Sequence, residues 1–181
     1  YKSVSGASVA RDFVELPSQI MENWAFQKEV LAGYARHYET GEVIPDSLAA
    51  KIEAAANFNQ GFMTTELAAA SILDMKWHEL TSAEGLDPMA FEKAACEEMG
   101  LIDEIIPRYR STYFAHIFSG GYSAGYYSYL WAEVLDKDAF ELFMQKGIFD
   151  PETAMSFRHN VLEKGGSDEP MDLYRRFRGA D

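Results

Sequence analysis

Apolar residues recur along the amino-terminal stretch at steps of three and four, or sums of these: Phe13, Leu16, Ile20, Trp24, Leu31, Tyr34 and Tyr38. That spacing marks one face of a long α-helix. Pro17 lacks a backbone N–H and fits only a first helical turn, so the helix is expected to begin near Phe13. Gly41 to Pro45 interrupts the pattern, and Pro45-Asp-Ser-Leu restarts a helix reaching about Asn57. Further helical runs are read over Thr64–Leu80, Met89–Met99 (ended by Gly100), Ser123–Met144 and Glu152–Glu163, with a short terminal one from Met171 to Phe177. The Ser82–Pro88 and Gly165–Pro170 segments read as loops, and Pro107–Ser111 as a connector. No stretch alternates apolar and polar residues well enough for a sheet, and no internal repeat is present. The pattern predicts an all-α fold.

Composition narrows the partners. The 181 residues suit one domain with a substantial core, and 48% hydrophobic with 14% aromatic residues are globular values. A net charge of −13 argues against nucleic acid and against an anionic membrane surface. No run approaches the roughly 18 apolar residues of a membrane span, and Tyr1-Lys2-Ser3 opens no signal peptide, so a cytoplasmic location is expected. The single cysteine, Cys96, cannot form an internal disulfide and sits at helical spacing as a half-buried filler.

Two stretches hold candidate chemistry. Glu15 lies between apolar residues at a helix start, where a carboxylate either complements the free N–H groups of the first turn or, if buried, needs a partner such as a metal ion. Gln19 and Glu22 share its face and are equally readable as orienting partners or as ordinary surface residues. The second stretch runs from His116 to Tyr129 and combines a histidine, Gly120, Gly121 and Gly125 with Tyr122, Tyr126 and Tyr129. The three tyrosines fall at i, i+4 and i+7, which would put them on one helical face. Phenol and imidazole can both donate to an oxygen that gains negative charge, and glycines permit close backbone approach. The same spacing equally describes an aromatic helix face packed in a core. The other histidines do not complete a metal site: His78-Glu-Leu-Thr-Ser82 has serine where a second imidazole would have to stand, and neither His37 nor His159 sits in a ligand pattern.

Beyond spacing, Arg11-Asp-Phe-Val-Glu15-Leu-Pro-Ser-Gln19 followed by Glu22-Asn-Trp24 resembles the third-ligand segment of the thimet-oligopeptidase-like (M3) zinc peptidases. Tyr113-Phe-Ala-His116-Ile-Phe-Ser-Gly-Gly-Tyr122-Ser-Ala-Gly-Tyr126-Tyr-Ser-Tyr129-Leu-Trp131 is similar to the glycine-rich substrate loop of the same family and the helix after it. The likeness covers nearly all of the chain and is strongest to the bacterial peptidyl-dipeptidase (dipeptidyl carboxypeptidase) branch, through Arg108-Tyr-Arg-Ser-Thr-Tyr-Phe-Ala-His-Ile-Phe and Tyr34-Ala-Arg-His-Tyr38. It implies that residues 1–181 are the carboxyl-terminal helical portion of a zincin-type catalytic domain acting on short peptides. It also implies a zinc ion (Zn2+) with Glu15 as ligand, His116 and Tyr129 stabilising the tetrahedral intermediate, and Tyr122, Tyr126, Gly120 and Gly121 contacting substrate.

In that family a His-Glu-x-x-His helix supplies the other zinc ligands. Only 14 residues precede Glu15, so that helix is expected on an amino-terminal remainder of the same polypeptide, and the chain alone is expected to be inactive. A peptidyl-dipeptidase must also hold a free substrate carboxylate, for which Arg108, Arg110, His116 and Tyr122 are candidates. An oligoendopeptidase of the family, a non-catalytic helical binding module and a two-chain enzyme completed in trans stand as the other readings.

Overall fold

A computed structural model describes residues 1–179, which divide into two compact units: residues 1–58 with 131–179, and residues 59–130. Among the described residues the structure is helical and contains no sheet; the only ladder contact is an isolated antiparallel bridge between Arg36 and Val43.

The first unit holds α1 (Leu16–Ala25), α2 (Lys28–Tyr34), α3 (Asp46–Ala55), α8 (Pro151–Phe157) and α9 (Pro170–Arg178). It also takes α7 (Ser128–Lys146) from Trp131 onward. Phe13, Leu16 and Ile20 are buried against Leu135, Ala139, Phe140 and Phe143 of α7, together with Phe157, Val161, Tyr174 and Phe177. Trp24 meets Phe140 and Phe143 edge-on at 4.7 and 4.8 Å, and its indole N–H donates to the carbonyl of Ile148 at 2.8 Å. Pro17 occupies the first turn of its helix as anticipated, and so do Pro151 and Pro170, the latter read from the sequence as part of a loop; in a first turn the missing N–H costs nothing. Asp150 caps α8 by accepting from the Thr153 N–H and hydroxyl, which holds its carboxyl below the usual range.

The long helix expected from Phe13 to Tyr38 is broken after Ala25, and the apolar stripe ends with it: Leu31 is buried, but Tyr34 and Tyr38 are 60% and 88% exposed. No glycine or proline marks the break. Its orphaned Ala25 carbonyl is satisfied by the Tyr34 hydroxyl at 2.7 Å, so Tyr34 caps the preceding helix instead of joining the core. Residues 35–44 then form a tight excursion in which the His37 ring nitrogen accepts from the Thr40 N–H at 3.2 Å.

Gly165 and Gly166 carry the amino-terminal segment. The Gly166 N–H donates to the carbonyl of Val4 at 2.8 Å, and a Cβ at either glycine would collide with the Val4 or Ser8 carbonyl. Gly166→Ala is therefore expected to cost about 1–3 kcal/mol of stability, read as a shifted midpoint in denaturant unfolding. An unchanged midpoint would show that the amino-terminal segment simply moves aside.

The second unit is built on α4 (Gln60–His78) and α5 (Pro88–Glu98), followed by a 3-10 turn at Ser111–Tyr113 and the single turn α6 (Ala115–Phe118); the first residues of α7, Ser128–Leu130, close it. α4 starts four residues before the expected Thr64, with Gly61 inside it, while α5 follows its expectation to within a residue. Asp87 caps α5 through the Ala90 N–H, Pro88 fills the first turn, and Gly100 follows the end in the left-handed region (φ 71°). Ala70, Phe114, Ile117 and Tyr126 form the core of this unit, with Leu67, Trp77, Tyr109, Tyr122 and Tyr129 packed on it.

Candidate functional site

The loop after α6 folds back on the turn that precedes it. The Gly120 N–H donates to the Ala115 carbonyl at 2.7 Å and the Tyr122 N–H to the His116 carbonyl at 2.9 Å, while the Ser123 hydroxyl donates to the Ile117 carbonyl at 2.5 Å. A Cβ on Gly120 would lie 2.9 Å from His116 Cα, closer than side-chain carbons approach, and Gly121 adopts φ 83°, so both positions need glycine to bring the loop this near.

The expected run of helix from Ser123 does not form. α7 begins at Ser128, because Ala124 sits in the left-handed region (φ 51°) and the N–H groups of Ala124 and Tyr126 turn away from helical partners. Tyr122, Tyr126 and Tyr129 therefore do not share a helical face. The loop brings them together regardless: Tyr122 stacks on Tyr129 at 5.2 Å, and Tyr126 meets Tyr129 at 5.1 Å. The His116 ring lies 5.6, 6.0 and 6.5 Å from Tyr126, Tyr122 and Tyr129. Tyr126 is 3% exposed, whereas His116, Tyr122 and Tyr129 are only partly buried. Burial, followed by the neighbouring Tyr109, pushes the Tyr126 phenol up to about 12, so it stays protonated at neutral pH.

Three residues beyond the sequence-based candidates shape this cluster. Tyr109 stacks on Phe114 at 5.1 Å and touches His116 at 4.9 Å. Asp74 of α4 is fully buried; its Oδ1 accepts the Ala124 N–H at 2.9 Å and its Oδ2 the Tyr126 N–H at 2.8 Å, and His78 Nδ1 lies 2.8 Å from Oδ1. Glu92 of α5, 1% exposed, accepts from Arg110 at 2.7 Å and from the Ser111 N–H at 2.6 Å, while the Trp77 indole donates to the Ser111 hydroxyl. One carboxylate thus fixes the chain before His116 and another fixes it after. The only hint in the sequence was a pair of acidic residues on helix faces otherwise rich in Ala, Leu, Ile and Phe.

Arg110, a candidate for holding a substrate carboxylate, is committed to Glu92; removing it would leave a buried charge unpaired. Arg108 is paired with Glu66 at 3.0 Å. The Cys96 thiol is pushed up by burial and by Glu92, which suits a filler rather than a nucleophile.

Glu15 belongs to the other unit. It occupies the residue before α1, makes no capping hydrogen bond to the first turn, and accepts from the Ser18 hydroxyl at 2.7 Å. Glu22 is exposed. Among the described residues no three His, Cys, Asp or Glu side chains are arranged to hold a metal ion, so Glu15 could contribute one ligand of a set that the described residues do not complete. His159 pairs with Glu163 at the surface.

The family model for peptidase family M3 matches residues 1–181. The chain is 45% identical to a dipeptidyl carboxypeptidase of Escherichia coli (strain K12), over 99% of its own length and 27% of that protein. It is 44% identical to oligopeptidase A of the same organism, over 98% of the chain and 26% of the relative. Saccharolysin of Saccharomyces cerevisiae matches at 33% over 96% of the chain and 25% of its own length. The chain thus spans about a quarter of the length of the curated relatives it matches.

Proposed function

The chain belongs to peptidase family M3, and on that premise we propose that residues 1–181 are the carboxyl-terminal portion of the catalytic domain of a zinc-dependent peptidyl-dipeptidase acting on short peptides. The observation that carries this reading is the convergence of His116 with Tyr122, Tyr126 and Tyr129 on a loop whose backbone is tied down on both sides. Hydrolysis of a peptide builds negative charge on the attacked carbonyl oxygen, and donors fixed beforehand lower that barrier without reorganising. Tyr129 and His116, both partly exposed, are the donors in this reading. Tyr122, Tyr126 and the backbone of Gly120 and Gly121 line the substrate, with Tyr126 acting mainly as the buried floor.

Glu15 would serve as one ligand of the zinc ion, which when bound supplies a Lewis acid and an acidified water. The remaining ligands lie, in this reading, on an amino-terminal remainder of the polypeptide, and the chain alone is inactive. No helix among the described residues is long and apolar enough to cross a membrane, and a cytoplasmic location belongs to the same proposal.

Both arginines near the loop are already paired with carboxylates, so a free substrate carboxylate falls to His116 and Tyr122. That pairing also favours a second reading, an oligoendopeptidase, and identities of 45% and 44% to a dipeptidyl carboxypeptidase and to oligopeptidase A are too close to separate the two. A peptide with a free carboxyl terminus and its amide, each given to the zinc-replete full-length protein, decide between them. Release of a carboxyl-terminal dipeptide is expected. The amide should lose about tenfold or more in kcat/KM, because one charge-assisted hydrogen bond is worth roughly 1.5–3 kcal/mol. Internal cleavage of both at equal rates would establish the endopeptidase, and no cleavage of either would overturn the peptidase reading.

A further inference from the structure

We propose that Asp74 is a positioning residue for the tyrosine loop: by taking the Ala124 and Tyr126 N–H groups it decides where Tyr126 and Tyr129 stand. The proposal rests on the reading of that loop as substrate-facing.

Asp74 lies on α4 beside Ala70 and Leu73, fully buried, and both of its carboxylate oxygens are occupied by N–H groups fifty and fifty-two residues away. An ionised carboxylate is costly to bury without such partners, and it binds N–H donors more strongly than a neutral carbonyl does. The donors it takes are informative. In a helix begun at Ser123 the Tyr126 N–H would bond the carbonyl of Tyr122, four residues back, while the Ala124 N–H would lie in the first turn without a helical partner. The spacing of apolar and aromatic residues favours that helix from Ser123 onward.

Asp74 takes both donors, drawing the Tyr126 N–H away from its helical partner. Ala124 is then held at φ 51°, a conformation that a non-glycine residue keeps only when its surroundings enforce it, and α7 starts at Ser128. The continuous helix would place the three tyrosines at helical spacing. The chain held by Asp74 instead stacks Tyr122 on Tyr129 and sets Tyr126 edge-on to His116 at 5.6 Å. His78 Nδ1, 2.8 Å from Asp74 Oδ1, braces the carboxylate from the end of α4. Asp74, fully buried, acts only through the backbone of the loop.

The test uses the full-length protein. Asp74→Asn keeps the shape but presents an amide NH2 to one of the two backbone donors. It is expected to lower kcat about tenfold in the wild-type background and less than about twofold when Tyr129 is already phenylalanine, since the donor being positioned is then gone. Ala124→Gly, which eases the left-handed turn, should recover part of the loss. A kcat within twofold of wild type, or losses that multiply in full in the double variant, would overturn the proposal.

Amide hydrogen exchange of the wild-type protein gives a check that needs no variant. The Ala124 and Tyr126 amides are expected to exchange about 100-fold or more slowly than the exposed loop amides around them, and equal rates would also overturn it. This readout is independent of activity. If the protein cleaves no peptide, the functional reading fails, while exchange still decides whether Asp74 holds the loop.

Discussion

Tyr129→Phe in the full-length protein is expected to lower kcat on the order of 10²-fold or more while KM stays within about threefold, the signature of a donor used only in the transition state. The structure makes this substitution clean. The Tyr129 ring is held by stacking on Tyr122 at 5.2 Å and by Tyr126 at 5.1 Å, and phenylalanine keeps both contacts. Only the hydroxyl leaves. Were the cluster merely an aromatic core, phenylalanine would fill the same space and kcat would stay within a few-fold. Tyr129 is the stronger choice over Tyr126 because Tyr126 is 3% exposed, whereas Tyr129 is only partly buried. A near-wild-type kcat with unchanged zinc content would move the donor role to His116, which is also partly exposed.

The helices were legible because their ends carry local chemistry. Pro17, Pro88, Pro151 and Pro170 each fill a first turn, Asp87 and Asp150 cap their helices, and Gly100 ends α5. Two of the departures, the break after Ala25 and the late start of α7, lie where long-range contacts override spacing. The break after Ala25 has no breaker residue; it is held by Tyr34 capping the orphan carbonyl and by Trp24 reaching Ile148, 124 residues away. The late start of α7 comes from Asp74, fifty residues earlier in the chain. Periodicity describes what a segment would do alone, and here a buried carboxylate outbids the helix.

The candidate site was legible in its members and illegible in its geometry. His116, Tyr122, Tyr126 and Tyr129 do come together, yet not through the helical face that their spacing suggests. Asp74 and Glu92 left only the faint mark of an acid among apolar neighbours, because an acidic residue on an amphipathic helix looks much the same whether it meets water or distant N–H groups. Their buried state separates them from the surface acids, and burial is a property of the folded chain. Arg110 shows the converse: a cation beside the loop reads as a substrate contact until its partner is known to be a buried carboxylate.

Glu15→Gln in the full-length protein is expected to lose metal. Glutamine presents a neutral, weaker oxygen where the ligand is anionic, and three protein ligands are the usual minimum for catalytic zinc. Changing only the hydrogen-bond partner of a ligand typically costs 10–100-fold in metal affinity or activity. Replacing a ligand itself should exceed that, so zinc measured by elemental analysis after dialysis should fall from stoichiometric to a small residue, with activity following. Ser18→Ala supplies the graded control: the Ser18 hydroxyl donates to Glu15 Oε2 at 2.7 Å, and losing it should cost affinity within that 10–100-fold range. The two variants therefore separate a ligand from a helix-start carboxylate by order of effect. If Glu15→Gln retains full zinc and Ser18→Ala is silent, Glu15 is a residue at the mouth of α1 whose charge only complements the helix.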